Sequence, residues 1–146
     1  MSIKCSLYEI EKILKVYNDY PIISLLDLVI IKTKFEDFEA LELGEILSSE
    51  LIKIDQNRRN IEVGKVIEHI FSKINASEII VTNIDILFNP SYRLDIIKLF
   101  IQLSRNKTVI VQWPGKLDSN HLIYSEQKYE DYKKYEINNY NIICLI

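Results

Sequence analysis

Glycine is scarce in this chain: three residues among 146, at Gly44, Gly64 and Gly115, with no two close together. A phosphate cradle needs glycines, because several backbone amides must converge on oxygens at close range. The pair Gly64-Lys65 is followed by Val66 rather than Ser or Thr and has no upstream glycine in register. It lies inside a helical pattern and reads as a helix glycine beside a solvated lysine. Cysteine is as sparse. Cys5 and Cys144 sit near opposite ends, which makes neither a metal-ligand pair nor a disulfide framework and predicts two reduced thiols. Histidine occurs twice, at His69 and His121, and neither has a Cys or His at metal spacing, which argues against zinc. Positive charge is not concentrated. The net charge is -3, the bases Lys53, Arg58, Arg59, Lys65 and Lys73 are interleaved with acids, and no basic stripe marks a DNA-binding face. No apolar run approaches membrane-spanning length and no signal-peptide block opens the chain, so a cytoplasmic location is expected.

What remains is ordinary globular composition, 48% hydrophobic and 27% charged, in a chain long enough for one self-sufficient core. The acids Glu36, Asp37, Glu39, Glu42 and Glu45 form a run without a base, which reads as a solvated face.

Periodicity supplies the elements. Ser6-Leu7-Tyr8-Glu9 is a capping-box pattern, and Leu7, Ile10, Leu14 and Tyr17 then recur at helical spacing, predicting a helix over 7–19 that stops before Pro21. The apolar run Leu25–Ile31 predicts a buried strand, and residues 35–41 a weaker one. Leu43, Leu47 and Leu51 share a helical face, as do Val63, Ile67, Ile70 and Ile74, with the turn 56–60 between them. Glu78–Thr82 and Thr108–Trp113 predict strands, the second stopped by Pro114-Gly115. Leu94, Ile97, Phe100 and Ser104 predict a helix between them, and residues 140–146 a last strand. This alternation predicts an α/β fold, a three-layer, mainly parallel sheet with helices on both faces, formed by one domain in which 1–20 is a helical preface and 25–146 the sheet.

Parallel sheets place ligands at the carboxyl ends of their strands. After the strand predicted to end at Ile31, the loop Lys32-Thr33-Lys34-Phe35-Glu36 has no glycine. Ile79–Val81 resembles the hydrophobic strand that carries the Mg²⁺-holding acid of P-loop enzymes, but Thr82 stands where the acid belongs, followed by Asn83 and, three residues on, Asp85. Asp85 reads as a loop aspartate capping the next turn. Arg105, within Ser104-Arg105-Asn106, reads as a helix C-terminal cation complementing the dipole, with contact to a partner or a phosphate as the functional alternative. The tyrosines Tyr124, Tyr129, Tyr132, Tyr135 and Tyr140 fit core padding and a protein interface equally.

Several of these stretches together carry a resemblance. They are Leu43–Ser48 with Arg58 downstream, Asn83-Ile84-Asp85-Ile86-Leu87-Phe88-Asn89-Pro90, Leu94-Asp95, Leu103–Thr108, Trp113-Pro114-Gly115 and Leu122–Glu126. In this order and spacing, over somewhat more than half the chain, the sequence resembles BrxF, the family of small P-loop proteins of type 3 BREX phage-defence systems. The family's glycine-rich loop has no counterpart here and its strand-end acid falls on Thr82. The resemblance thus implies a degenerate P-loop domain without nucleotide or other cofactor, serving as a non-enzymatic accessory subunit. Its implied partners are other defence-system proteins, a large ATPase first among them, or a second copy of the chain, with DNA met only indirectly. Arg105, Asn106, Trp113, Tyr124 and Glu126 are the expected contact residues. Two alternatives stand beside this: a small metal-dependent nuclease using Asp85 and Asp95, and a nucleotide-binding subunit whose missing loop a partner supplies.

Overall fold

The computed structural model describes residues 1–146. Its centre is a six-stranded sheet in which every neighbouring pair is parallel. The strands are β1 (Ser2–Cys5), β2 (Ile22–Ser24), β3 (Glu39–Glu42), β4 (Glu78–Thr82), β5 (Thr108–Gln112) and β9 (Ile142–Leu145), in the order β1-β9-β2-β5-β4-β3. A three-stranded antiparallel sheet, β6 (Lys116–Asp118), β7 (His121–Tyr124) and β8 (Lys133–Glu136), is inserted between β5 and β9.

Alternation along the strands divides the core into two layers. Ile22, Ile80, Ile110 and Ile143 face α1 (Ile10–Val16) and α2 (Leu28–Lys34), packing with Ile10, Ile31 and Phe35. Ile23, Leu41, Val81 and Val111 face α3 (Leu43–Leu51), α4 (Arg59–Ser72) and α5 (Ile96–Leu103), packing with Leu47, Ile67 and Phe100. The result is an α/β fold of three layers, and no helix is long and apolar enough to cross a membrane. The apolar run of each central strand follows from burial on both faces.

Four expectations change. The run Leu25–Ile31 is not a strand: the strand is Ile22–Ser24, directly after Pro21, and Leu28 onward is helical. Asp27 decides this locally, since its carboxylate accepts the Val29 N–H at 3.1 Å and caps α2. Leu28, Ile31 and Phe35 then fall on the inner side, while Val29 and Ile30 remain 72% and 45% exposed. A continuous apolar run therefore hid a helix with two exposed aliphatics. The loop expected at Lys32–Glu36 is in consequence the end of α2 and the turn after it.

The amino-terminal segment is also more than a helical preface, because Ser2–Cys5 is the outer strand of the main sheet, paired with β9. Its capping box is half made: Glu9 accepts the Ser6 N–H at 2.9 Å, but no hydroxyl returns the bond and the helix starts at Ile10. The weaker strand of 35–41 shifts to Glu39–Glu42. Finally, the Tyr-rich region folds as β6–β8. Its tyrosines serve mostly as packing: Tyr135 is buried, Tyr124 stacks on Phe88 with centroids 3.7 Å apart, and the Tyr140 hydroxyl donates to Asp95 at 3.0 Å.

Candidate functional site

The chain leaves β2 toward the β3 edge and leaves β5 toward the opposite edge, so the winding direction changes between these adjacent strands. The crevice outside their carboxyl ends is where sheets of this kind hold ligands. Four polar residues end the strands there. Ser24 pairs in register with Gln112, Thr82 with Glu42, and the register of β4 against β5 puts Thr82 beside Gln112. Alternation turns this row, Ser24-Gln112-Thr82-Glu42, toward the α1–α2 layer.

The row is closed by its own contacts. Gln112 Nε2 donates to the Leu26 carbonyl at 2.8 Å, tying β5 to the β2–α2 loop across the crevice. That loop is only Leu25-Leu26-Asp27. The Leu25 amide donates to the Leu145 carbonyl at 2.9 Å and the Leu26 amide to Ser24 Oγ at 3.2 Å. Asp27 places a carboxylate at the start of α2, where a phosphate would otherwise sit. The Leu25, Leu26 and Val29 amides are thus spent internally, beside a negative charge. One polar atom in the row lacks a partner, the buried Gln112 Oε1.

At the β3 end a second lock forms. Asn83, held at φ 55°, donates from Nδ2 to Glu42 at 2.6 Å, and the same Glu42 oxygen accepts the Glu45 amide at 3.2 Å. The Asn83 hydrogen bond, followed by backbone amides of the turn into α3, holds the Glu42 carboxyl below the usual range. Gly44 is required by the same contact: a Cβ there would lie 2.5 Å from Asn83 Nδ2 and 2.6 Å from its carbonyl oxygen. Two stretches that carry the family resemblance therefore meet, Leu43–Ser48 through Gly44 and Asn83–Pro90 through Asn83.

Trp113, Gly115 and the small sheet pack at the same end. Trp113 Nε1 donates to the Ile123 carbonyl at 3.1 Å, Phe88 meets Trp113 edge-on at 5.5 Å, and a Cβ on Gly115 would overlap the Ile123 carbonyl oxygen. Burial, then the neighbouring Asp85, pushes the Tyr124 phenol up to about 12. No protein-family model, curated protein or solved structure matches the chain.

The expected contact residues do not form one surface. Trp113, Tyr124 and Glu126 lie at the carboxyl end, whereas Arg105 and Asn106 form the turn entering β5 at the amino end, about 16 Å away along a five-residue strand. Trp113 is only 3% exposed and belongs to the core. Tyr124 is half-buried under its stack, and Glu126 is exposed and paired with Lys128 at 3.4 Å. Arg105 and Asn106 are exposed and shared by two open depressions, one lined also by Glu68 and Gln102, the other by Asp19 and Glu78. Thr82 belongs to the polar row and Asn83 bonds Glu42 at its end, while Asp85 opens a 3₁₀ turn.

Of the two acids of the nuclease alternative, Asp95 is engaged by its own neighbours. Asp95 caps α5 by accepting the Lys98 N–H and takes the Tyr140 hydroxyl with its other oxygen, and no three acid, His or Cys side chains gather as a metal site. His121 is on β7 and bonds Glu136 across the small sheet at 2.9 Å. His69 is exposed on α4.

Sequence reading missed Ser24, Glu42 and Gln112 as a set. The signal was present as a single polar residue ending each apolar strand, in Ile-Ile-Ser, Ala-Leu-Glu, Ile-Val-Thr and Ile-Val-Gln.

Proposed function

We propose that this chain is a non-enzymatic interaction subunit of a bacterial phage-defence assembly of the BREX type, built on a P-loop-like sheet that has lost its nucleotide loop. One observation carries the reading. The crevice at the change of winding is spanned by a three-residue loop whose Leu25 and Leu26 amides are spent on Leu145 and Ser24 and whose Asp27 carboxylate repels a phosphate. Binding of Mg²⁺–nucleotide needs free amides, a lysine and an acid in the metal's shell, and Thr82 supplies no charge.

The ordered series of resembling stretches gives the defence context, and their mutual packing gives a reason for their retention without catalysis. Gly44, Asn83, Phe88, Trp113 and Gly115, from three of these stretches, hold the carboxyl end of the sheet and the small antiparallel sheet together. Partners are other proteins of the system, with its large ATPase as the first candidate, and Arg105 and Asn106 are the contact residues best placed to meet them. Tagged protein produced with its neighbouring genes should retain at least one of their products through purification. Arg105→Ala with Asn106→Ala should weaken that retention while leaving the thermal midpoint unchanged. Recovery of the chain alone, with no neighbouring product, would remove the reading.

A further inference from the structure

We infer that the cleft between the connector Pro90–Asp95 and strand β8 is a docking site for an acidic segment of a partner protein, an inference resting on the proposed role as an interaction subunit. The cleft is about 500 Å³ and brings together Arg93 from the connector with Lys133 and Lys134 from β8. None of the three takes part in an ion pair. In a chain of net charge -3, three cations without an ion pair along one cleft are a local reversal of the surface. The one acid in the cleft, Asp95, already gives one oxygen to the Lys98 amide and the other to the Tyr140 hydroxyl.

The geometry favours carboxylates on a peptide over a phosphate. Lys133 and Lys134 are successive on a strand and lean to opposite faces, Lys133 half-buried within and Lys134 on the rim. With Arg93 on the facing wall, the positive charges are spread rather than gathered on one point, and a string of monoanions matches them. Pro90, Leu94 and Tyr140 line the same cleft and offer apolar contact to a peptide's stems. A phosphate dianion would meet no converging amides and would lie close to the Asp95 carboxylate.

The test is calorimetric titration of the full chain with a blocked hexaglutamate peptide. Saturable binding tighter than about 1 mM is expected at low salt, weakening at least about tenfold on raising ionic strength to about 0.15 M. Lys133→Glu with Lys134→Glu should weaken binding by at least about tenfold on the same electrostatic grounds, with an unchanged thermal midpoint. If that variant unfolds, Arg93→Gln takes its place with the same expected loss. No binding by the wild type, equal binding by a folded variant, or preference for a single-stranded oligonucleotide over the peptide overturns the inference. The two readings separate cleanly. A partner retained by wild type and charge-reversed protein alike, with no peptide binding, removes the cleft and leaves the subunit role. Peptide binding without any co-purified partner does the reverse.

Discussion

Replacing each of two glycines by alanine should move stability in opposite directions. Gly64 lies within α4 and a Cβ added there meets nothing within 4 Å. Alanine at an open helical position reduces the freedom of the unfolded chain and improves helix propensity, which stabilises by about 0.5–1 kcal/mol. Gly44 lies in the first turn of α3, where the added Cβ comes within 2.5 Å of Asn83 Nδ2 and 2.6 Å of the Asn83 carbonyl oxygen. The side-chain amide could swing away, breaking its bond to Glu42. The carbonyl oxygen is backbone and cannot move without shifting the turn after β4. The same helix gain is therefore outweighed, and a net loss of about 1–3 kcal/mol is expected from overpacking. For a chain of this size each kcal/mol moves the thermal midpoint by about 3–4 °C. Calorimetric melting of the two variants against wild type reads both effects. A Gly44→Ala protein as stable as wild type would refute the close approach of α3 to Asn83, and with it the lock at the β3 end of the polar row.

Two further outcomes follow from the same core. The Glu42 carboxyl is held below its ordinary value chiefly by Asn83, so its contribution is present above the unfolded carboxyl value near about 4.3 and is lost as pH falls through the lower folded one. Wild type should exceed Glu42→Gln in stability at neutral pH and converge with it in acid, and melts at both pH values that differ by the same amount would contradict the assignment. Cys5 and Cys144 lie on neighbouring strands, yet belong to opposite core layers, Cys5 with α1–α2 and Cys144 with α3–α5. Both are buried and free, and burial pushes the Cys144 thiol up to about 12. Thiol titration should be slow in the native protein and find two groups per chain on unfolding without reductant; finding none would mean the pair is oxidised.

Elements whose signal is local and periodic were legible in the sequence. Glu78–Thr82 is a strand end to end, and Leu43, Leu47 and Leu51 all face the core from α3. The misreading of Leu25–Ile31 has a definite cause: burial on both faces and a short helix with two exposed aliphatics give the same apolar run. Only the Asp27 cap distinguishes them. The small sheet β6–β8 was invisible because its strands are three or four residues long and polar on the outer side. For the site, Thr82 and Asn83 could be read from one strand end, but the row that Thr82 belongs to exists only through the register of four strands. Arg105 and Trp113 share the resemblance, but Arg105 precedes β5 and Trp113 follows it, so the strand sets them at opposite ends of the sheet.

The central claim is that the crevice at the change of winding is closed to nucleotide. Isothermal titration of the isolated protein with Mg²⁺–ATP tests it most directly. With the Leu25 and Leu26 amides spent, Asp27 at the head of α2 and Thr82 in place of an acid, no binding tighter than the millimolar range, about 4 kcal/mol, and no turnover are predicted. A micromolar, Mg²⁺-dependent isotherm from protein free of contaminating ATPase would contradict the account.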